Sequence, residues 1–139
     1  MRPETNIPAV IYCRVANTTI SNKGDALVYQ EARCREYAAR KGYAVAEVFR
    51  DAGVSGTAVD RPGMRAMLVF LKEHGPQNEH VVVIDDTNRL ARGLETYVRL
   101  RTEIAAAGGK LESPSIELRD APESRLVESV LASTSLFLR

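Results

Sequence analysis

The sequence is poor in the residues that mark several classes of protein. Tryptophan is absent, and the three phenylalanines and five tyrosines are scattered, so no aromatic platform for single-stranded nucleic acid is predicted. Two cysteines, Cys13 and Cys34, are too few for a disulfide framework or a zinc site. The two histidines, His74 and His80, have no metal-ligating neighbours in the sequence. We therefore expect no metal and no cofactor, two buried free thiols, and histidines at the surface or at helix caps.

Long apolar runs and an excess of charge of one sign are also missing. No run approaches the roughly 18 residues that a membrane span needs, and the N-terminus has no signal-peptide pattern. Lysine and arginine number 19 against 18 aspartates and glutamates, which excludes a strongly basic or acidic protein but not a local basic face. With 139 residues, 45% of them hydrophobic, we expect one domain over residues 1–139, in the cytoplasm and away from membranes.

Apolar patterns typical of strands and of helices alternate along the chain. Strands are predicted at residues 8–16, 43–51, 80–86 and 110–113. Helices are predicted at residues 25–41 (capped by Asp25), 60–74 (capped by Asp60), 94–107 and from residue 120, with a loop at residues 87–93. This alternation predicts an α/β domain with an open, mainly parallel central sheet and helices on both faces.

Arginine residues follow three of the predicted strands. The first strand ends near Arg14, the loop after the second carries Ser55 and Arg61, and the loop after the third carries Arg89 and Arg92. Because parallel strands end at one edge of a sheet, we expect these guanidinium groups to meet there. Arginine suits phosphate because it stays charged and forms paired hydrogen bonds, so this edge is predicted to bind phosphate.

One polar residue falls on an apolar helix face. Gln30 shares the inner face of the helix predicted at residues 25–41 with Cys34. A buried amide needs hydrogen-bond partners. Gln30 is therefore either a structural bracket or an active-site group, and the sequence leaves both alternatives open.

The order and spacing of these motifs resemble the catalytic domain of the serine recombinases, the resolvase/invertase family, over nearly the whole chain. The similar segments are Tyr12-x-Arg14-Val15, Gly53-Val54-Ser55-Gly56, Asp60-Arg61-Pro62-Gly63 and Asn88-Arg89-Leu90-Ala91-Arg92. The resemblance implies metal-free cleavage and rejoining of double-stranded DNA through a phosphoserine link, on the bacterial nucleoid. It also implies catalytic roles for Arg14, Gln30, Ser55, Arg61, Asn88, Arg89 and Arg92.

Two positions depart from the family's pattern. Ala16 stands where the family has its serine nucleophile, so the protein is expected to be inactive as written. The nearest hydroxyls in the sequence belong to Thr18, Thr19 and Ser21. A displaced hydroxyl has a different direction and reach, and an error of about 1 Å can cost about a hundredfold in rate. Asn88 replaces the loop's usual aspartate, and Asp86 either compensates in part or only ends the strand and caps the turn.

The helix predicted from residue 120 corresponds to the start of the long helix through which the family dimerises and reaches DNA. The resemblance therefore implies a homodimer, and a tetramer in the synaptic complex of full-length members. It also implies weak binding of the isolated domain to the phosphates of double-stranded DNA. Since the family's helix continues into a DNA-binding region, we expect a truncated chain that lacks that domain.

Two functions compete at this point. The first is the catalytic domain of a site-specific recombinase from a mobile element, with its serine lost by engineering or by natural decay. The second is a non-catalytic remnant of the same fold that serves oligomerisation or regulation. A domain that binds a small phosphorylated molecule is disfavoured, because no glycine-rich loop follows the first predicted strand.

Overall fold

The computed structural model describes residues 7–16, 23–74 and 79–114. Its elements, in chain order, are β1 (Ile7–Val15), α1 (Lys23–Lys41), β2 (Tyr43–Ala52), α2 (Pro62–His74), β3 (His80–Ile84), α3 (Thr87–Leu90), α4 (Leu94–Ala106) and β4 (Gly109–Glu112). The helix predicted from residue 120, and with it the start of the proposed dimerisation helix, lies outside the described residues.

The strands form one four-stranded parallel sheet in the order β2-β1-β3-β4. The two central strands, β1 and β3, are covered on both faces, and every residue of β3 is buried. This arrangement confirms the predicted α/β fold with a parallel sheet. Because all four strands run in the same direction, the loops that follow β1, β2 and β3 emerge at the same edge.

The two faces of the sheet pack against different helices. Successive side chains of a strand point to opposite faces. Val10 and Tyr12 therefore join the core formed with α2 and α4, whereas Ile11 and Cys13 join the core formed with α1. Cys34 lies in the same core as Cys13, and both are buried free thiols, as predicted. Burial raises the pKa of the Cys13 thiol to about 12.

Several local predictions are wrong at the level of single elements. Helix α1 begins at Lys23, so Asp25 lies within the helix instead of capping it. The loop predicted at residues 87–93 contains the short helix α3. His80 is 5% exposed and meets the ring of Phe70 edge-on, because it begins a central strand that α2 covers. His74 is exposed, as predicted.

The cap of α2 is also different from the prediction. Asp60 is exposed and forms an ion pair with Arg65. The amides of Gly63 and Met64 instead donate to the two carboxylate oxygens of Asp51, at 2.7 and 2.9 Å. Asp51 lies near the end of β2, so the residue that caps α2 comes from the other side of the loop. The usual capping rule considers only the residue directly before the helix and therefore misses it.

Candidate active site

The loops that follow β1, β2 and β3 are hydrogen-bonded to one another. The carbonyl oxygen of Val15 accepts from the amides of Gly53, at 2.7 Å, and Val54, at 3.3 Å. The amide of Arg92 donates to the carbonyl of Gly56 at 2.8 Å, and a Cβ at Gly56 would overlap the side chain of Arg92. The predicted convergence is therefore present. We call the resulting set the arginine edge, formed by Arg14, Arg61, Arg89 and Arg92.

Arg14 is the residue that joins all three loops. Its side chain leaves β1, and its Nε donates to the carbonyl of Arg89 at 3.0 Å. Its Nη1 donates to the carbonyl of Val54 at 2.8 Å. Arg14 is only 3% exposed. Burial lowers the pKa of its guanidinium, and the positive charge of Arg61 lowers it further.

Gln30 holds the backbone of Arg14 in place. Its Oε1 accepts from the Arg14 amide at 3.2 Å, and its Nε2 donates to the Arg14 carbonyl at 2.9 Å. The amide group thus satisfies both backbone groups of one strand residue, as a neighbouring strand would. Of the two alternatives that the sequence leaves open, the structural bracket is the one that these contacts support.

Arg61 is turned inward rather than toward solvent. It is 1% exposed, and its Nε and Nη2 donate to the carbonyls of Ala58 and Gly56, at 2.8 and 3.1 Å. Its Nη1 donates to the hydroxyl of Tyr12 at 3.1 Å. The two bonds to carbonyls hold the loop between β2 and α2 in its shape, and the bond to Tyr12 fastens that loop to β1, so Arg61 supports the edge from within the protein.

Tyr12 and Asp51 belong to this site although the sequence did not single them out. The Tyr12 hydroxyl donates to Oδ2 of Asp51 at 2.8 Å, and the same carboxylate caps α2. Burial raises the pKa of Tyr12, so the hydroxyl stays protonated and able to donate. Two signals were available: a tyrosine hydroxyl in a buried strand needs a partner, and Asp51 is a carboxylate near the end of the neighbouring strand.

The solvent-facing part of the edge consists of different residues. Ala16 is exposed directly after β1, Ser55 and Arg92 are exposed, and Arg89 is half-buried. The Ser55 hydroxyl lies 2.9 Å from that of Thr57 and accepts from the Thr57 amide at 3.1 Å. Two guanidinium groups and one hydroxyl are therefore accessible to an anion at the edge where β1 ends, and position 16 at the end of β1 carries a methyl group where the family's pattern has a hydroxyl.

Asp86 precedes α3, and its carbonyl accepts from the amide of Arg89 at 2.9 Å. This bond belongs to the turn that leads into α3 and involves the backbone of Asp86, not its carboxylate. Two sets of predicted groups lie outside the described part of the chain. They are the side chain of Asn88 and residues 17–22, which include Thr18, Thr19 and Ser21. None of the described helices is both long and apolar enough to span a membrane.

Comparison with known proteins identifies the family. The family model described as the N-terminal domain of resolvase matches residues 9–139. The chain is 32% identical to the C-terminal catalytic domain of ISC1926 TnpA, an IS607-like serine recombinase; the similarity covers 89% of this chain and 78% of that one, with a TM-score of 0.63. The chain therefore belongs to the resolvase family of serine recombinases. The comparison with curated protein sequences finds no match.

Two further solved structures share the fold. The N-terminal catalytic domain of TP901-1 integrase is 24% identical, with coverage of 95% of this chain and 96% of that one and a TM-score of 0.77. A resolvase family site-specific recombinase from Streptococcus pneumoniae is 22% identical, with coverage of 96% and 89% and a TM-score of 0.74. These likenesses confirm the fold that the sequence predicted.

Proposed function

We propose that residues 1–139 form the catalytic domain of a site-specific DNA recombinase that binds DNA phosphates but, with Ala16 at the nucleophile position, does not cleave them. The observation that supports this proposal is that Arg14 binds the carbonyls of Val54 and Arg89, so the loops that carry Ser55, Arg89 and Arg92 meet at the edge of the sheet where β1 ends at Ala16. Guanidinium groups held at fixed positions stabilise the charge that develops on a phosphate during transfer.

The residues of the edge divide into two roles in this proposal. Arg89, Arg92 and the Ser55 hydroxyl contact the phosphate, since their side chains have solvent access. Arg14 and Arg61 set the positions of the loops and add positive charge from beneath, and Gln30 holds Arg14. Asn88 takes the place of an aspartate beside Arg89.

A serine at position 16 would supply the missing chemistry. Its Oγ would lose its proton and attack the phosphorus atom, the bond to the 3′ oxygen would break, and that oxygen would take up a proton and leave as a hydroxyl. The product would be a phosphoserine bond to the 5′ end of the DNA. Because this bond conserves the energy of the phosphodiester, the reverse attack by a 3′ hydroxyl rejoins the strand without a nucleotide cofactor.

We also propose the partners that the family implies. Double-stranded DNA in the cytoplasm is the substrate, and the segment after residue 120 forms a homodimer that pairs into a tetramer on two sites. Binding of the isolated domain to DNA is weak and salt-dependent, because few phosphate contacts are available to it.

The decisive experiment restores the hydroxyl. Ala16→Ser, in a chain extended by a DNA-binding region, is expected to form a covalent adduct with cognate DNA that survives denaturing electrophoresis. The matched control is Ala16→Ser with Arg92→Gln, which should bind but not form the adduct. A further variant, Ala16→Ser with Asn88→Asp, tests the second departure separately. Absence of an adduct on bound cognate DNA both for Ala16→Ser and for Ala16→Ser with Asn88→Asp would favour the alternative, a non-catalytic remnant of the same fold.

A further inference from the structure

One carbonyl group in the loop after β2 joins a buried and an exposed member of the arginine edge. The carbonyl oxygen of Gly56 accepts from the amide of Arg92 at 2.8 Å and from Nη2 of Arg61 at 3.1 Å. Arg61 is held in turn by its bonds to Ala58 and Tyr12. The backbone of Arg92 is therefore fixed against a loop whose shape Arg61 maintains.

The side chain of Arg92 lies across the backbone of Gly56. Gly56 is buried, although Ser55 and Thr57 on either side of it are exposed. A Cβ atom added at Gly56 would come within 3.0 Å of the Cβ, Cγ and Cδ atoms of Arg92. The aliphatic part of Arg92 thus covers Gly56, and the absence of a side chain at Gly56 leaves the space that it occupies.

These two contacts limit how Arg92 can respond to a larger residue at position 56. Its amide is bonded to Gly56, so its backbone cannot withdraw from an added Cβ without losing that hydrogen bond. The side chain would instead rotate into another staggered conformation, and its guanidinium group would point in a different direction. Because arginine binds phosphate through paired hydrogen bonds of fixed geometry, a redirected guanidinium group loses the contact.

We propose that Gly56 is a positioning residue for phosphate binding: the space beside its Cα atom and its carbonyl group together direct the guanidinium group of Arg92 toward the phosphate. This inference rests on the proposed function, because it concerns the phosphate contact of Arg92. Gly56 does not have a positive φ, so its backbone conformation suits alanine as well. Gly56→Ala therefore tests the space and not the conformation.

The experiment measures binding of the 139-residue chain to a fluorescein-labelled DNA duplex by fluorescence anisotropy. Gly56→Ala is expected to weaken binding about threefold at low salt and to reduce the slope of log K against log salt by about 1, as the loss of one phosphate contact does. Arg92→Ala removes the Cγ and Cδ atoms, so in that background Gly56→Ala should change the affinity by less than about 1.5-fold. If Gly56 only shapes the loop, Gly56→Ala should cost the same factor in both backgrounds.

Gly109→Ala is the matched control for crowding. A Cβ at Gly109 would lie 2.8 Å from the side chain of Ile104 and 2.9 Å from that of Val82. Gly109 begins β4 and pairs with the first residue of β3, so it lies at the opposite end of the sheet from the arginine edge. The variant should unfold at a lower urea concentration than the parent, while its affinity for DNA stays within about 1.5-fold and its salt slope is unchanged.

Urea unfolding followed by circular dichroism identifies the variants that are folded. If Gly56→Ala by itself is unfolded, Arg92→Ala should restore folding, because it removes the Cγ and Cδ atoms that the added Cβ overlaps. Restored folding would support the inference, and a double variant that is also unfolded would overturn it.

The outcomes separate this inference from the proposed function. Three results overturn the inference while the proposed function stands, provided that Arg92→Ala weakens binding: no effect of Gly56→Ala, an equal effect of Gly56→Ala in both backgrounds, or an equal effect of Gly109→Ala. If Arg92→Ala leaves binding and its salt slope unchanged, DNA does not bind through Arg92, and both are overturned.

Discussion

The four arginines of the edge form two pairs that differ in burial and in hydrogen bonding. Arg14 and Arg61 are 3% and 1% exposed, and they donate hydrogen bonds to backbone carbonyls and to the Tyr12 hydroxyl. Arg89 and Arg92 have solvent access. The difference teaches that a motif arginine can serve a site in two ways: one pair builds the loops, and the other is available to a ligand.

This division changes an expectation that the sequence alone supports. If all four arginines are treated as equivalent phosphate ligands, replacing any of them should leave folding intact. The contacts of Arg14 and Arg61 predict otherwise: Arg14 joins the loops after β2 and β3, Arg61 ties the loop after β2 to itself and to Tyr12 in β1, and their removal takes donors away from the groups that they bind.

The largest expected effect is on the stability of the protein, and it should distinguish the buried pair, Arg14 and Arg61, from the exposed pair. Arg61→Met is expected to lower the free energy of unfolding by about 3 kcal/mol, because a buried side chain loses three hydrogen bonds, two of them to buried groups. Arg92→Met, its exposed counterpart, should cost less than about 0.5 kcal/mol. Urea unfolding followed by circular dichroism measures both. Equal costs for the two variants would remove the distinction between the pairs.

The next effect concerns the carboxylate that supports the buried pair. Asp51→Ala should cost about 2 kcal/mol, since it removes the cap of α2 and the acceptor of the Tyr12 hydroxyl. Asp60→Ala removes the residue that the sequence predicted as the cap, and it should cost less than about 0.5 kcal/mol. The same unfolding measurement applies. A larger loss for Asp60→Ala than for Asp51→Ala would contradict the capping geometry.

The pH dependence of the free energy of unfolding tests whether Cys13, next to Arg14 in β1, is shielded from water. The pKa of Cys13 is raised to about 12 by burial, whereas an unfolded thiol ionises near about 8.5. Stability is therefore retained below pH about 8.5 and falls as the pH rises above it, because only the unfolded state releases the proton. We expect Cys13 to contribute a loss of about 1.4 kcal/mol between pH about 7.5 and 9.5. Cys13→Ala should reduce the loss of stability over this pH interval by that amount, and an unchanged loss would mean that the thiol is accessible.

The smallest expected effect concerns the exposed pair, Arg89 and Arg92. Arg92→Gln should weaken DNA binding about threefold at low salt and reduce the slope of log K against log salt by about 1, the result of losing one phosphate contact. Arg101→Gln, on α4, is the charge-matched control outside the edge. A salt slope that is the same for the parent and for Arg92→Gln would argue against a phosphate contact at this residue.

Much of the fold was predictable because it depends on local patterns. The continuous apolar run Val81–Ile84 identified a central strand, and the alternation of strands with helices identified a parallel sheet. The convergence of the arginines followed from the same reasoning, because the loops after parallel strands must emerge at one edge. The order of the motifs was also sufficient to predict the family, which the comparisons confirm.

Tertiary packing decided which of these side chains the ligand can reach. Nothing in the local sequence distinguishes Arg61 from Arg92, yet one is enclosed by loops from distant segments and the other is not. The cap from Asp51, the burial of His80 and the ion pair between Arg33 and Asp85 have the same origin. Strand and helix patterns depend on residues a few positions apart, whereas burial and charge pairing depend on segments that meet only when the sheet has formed.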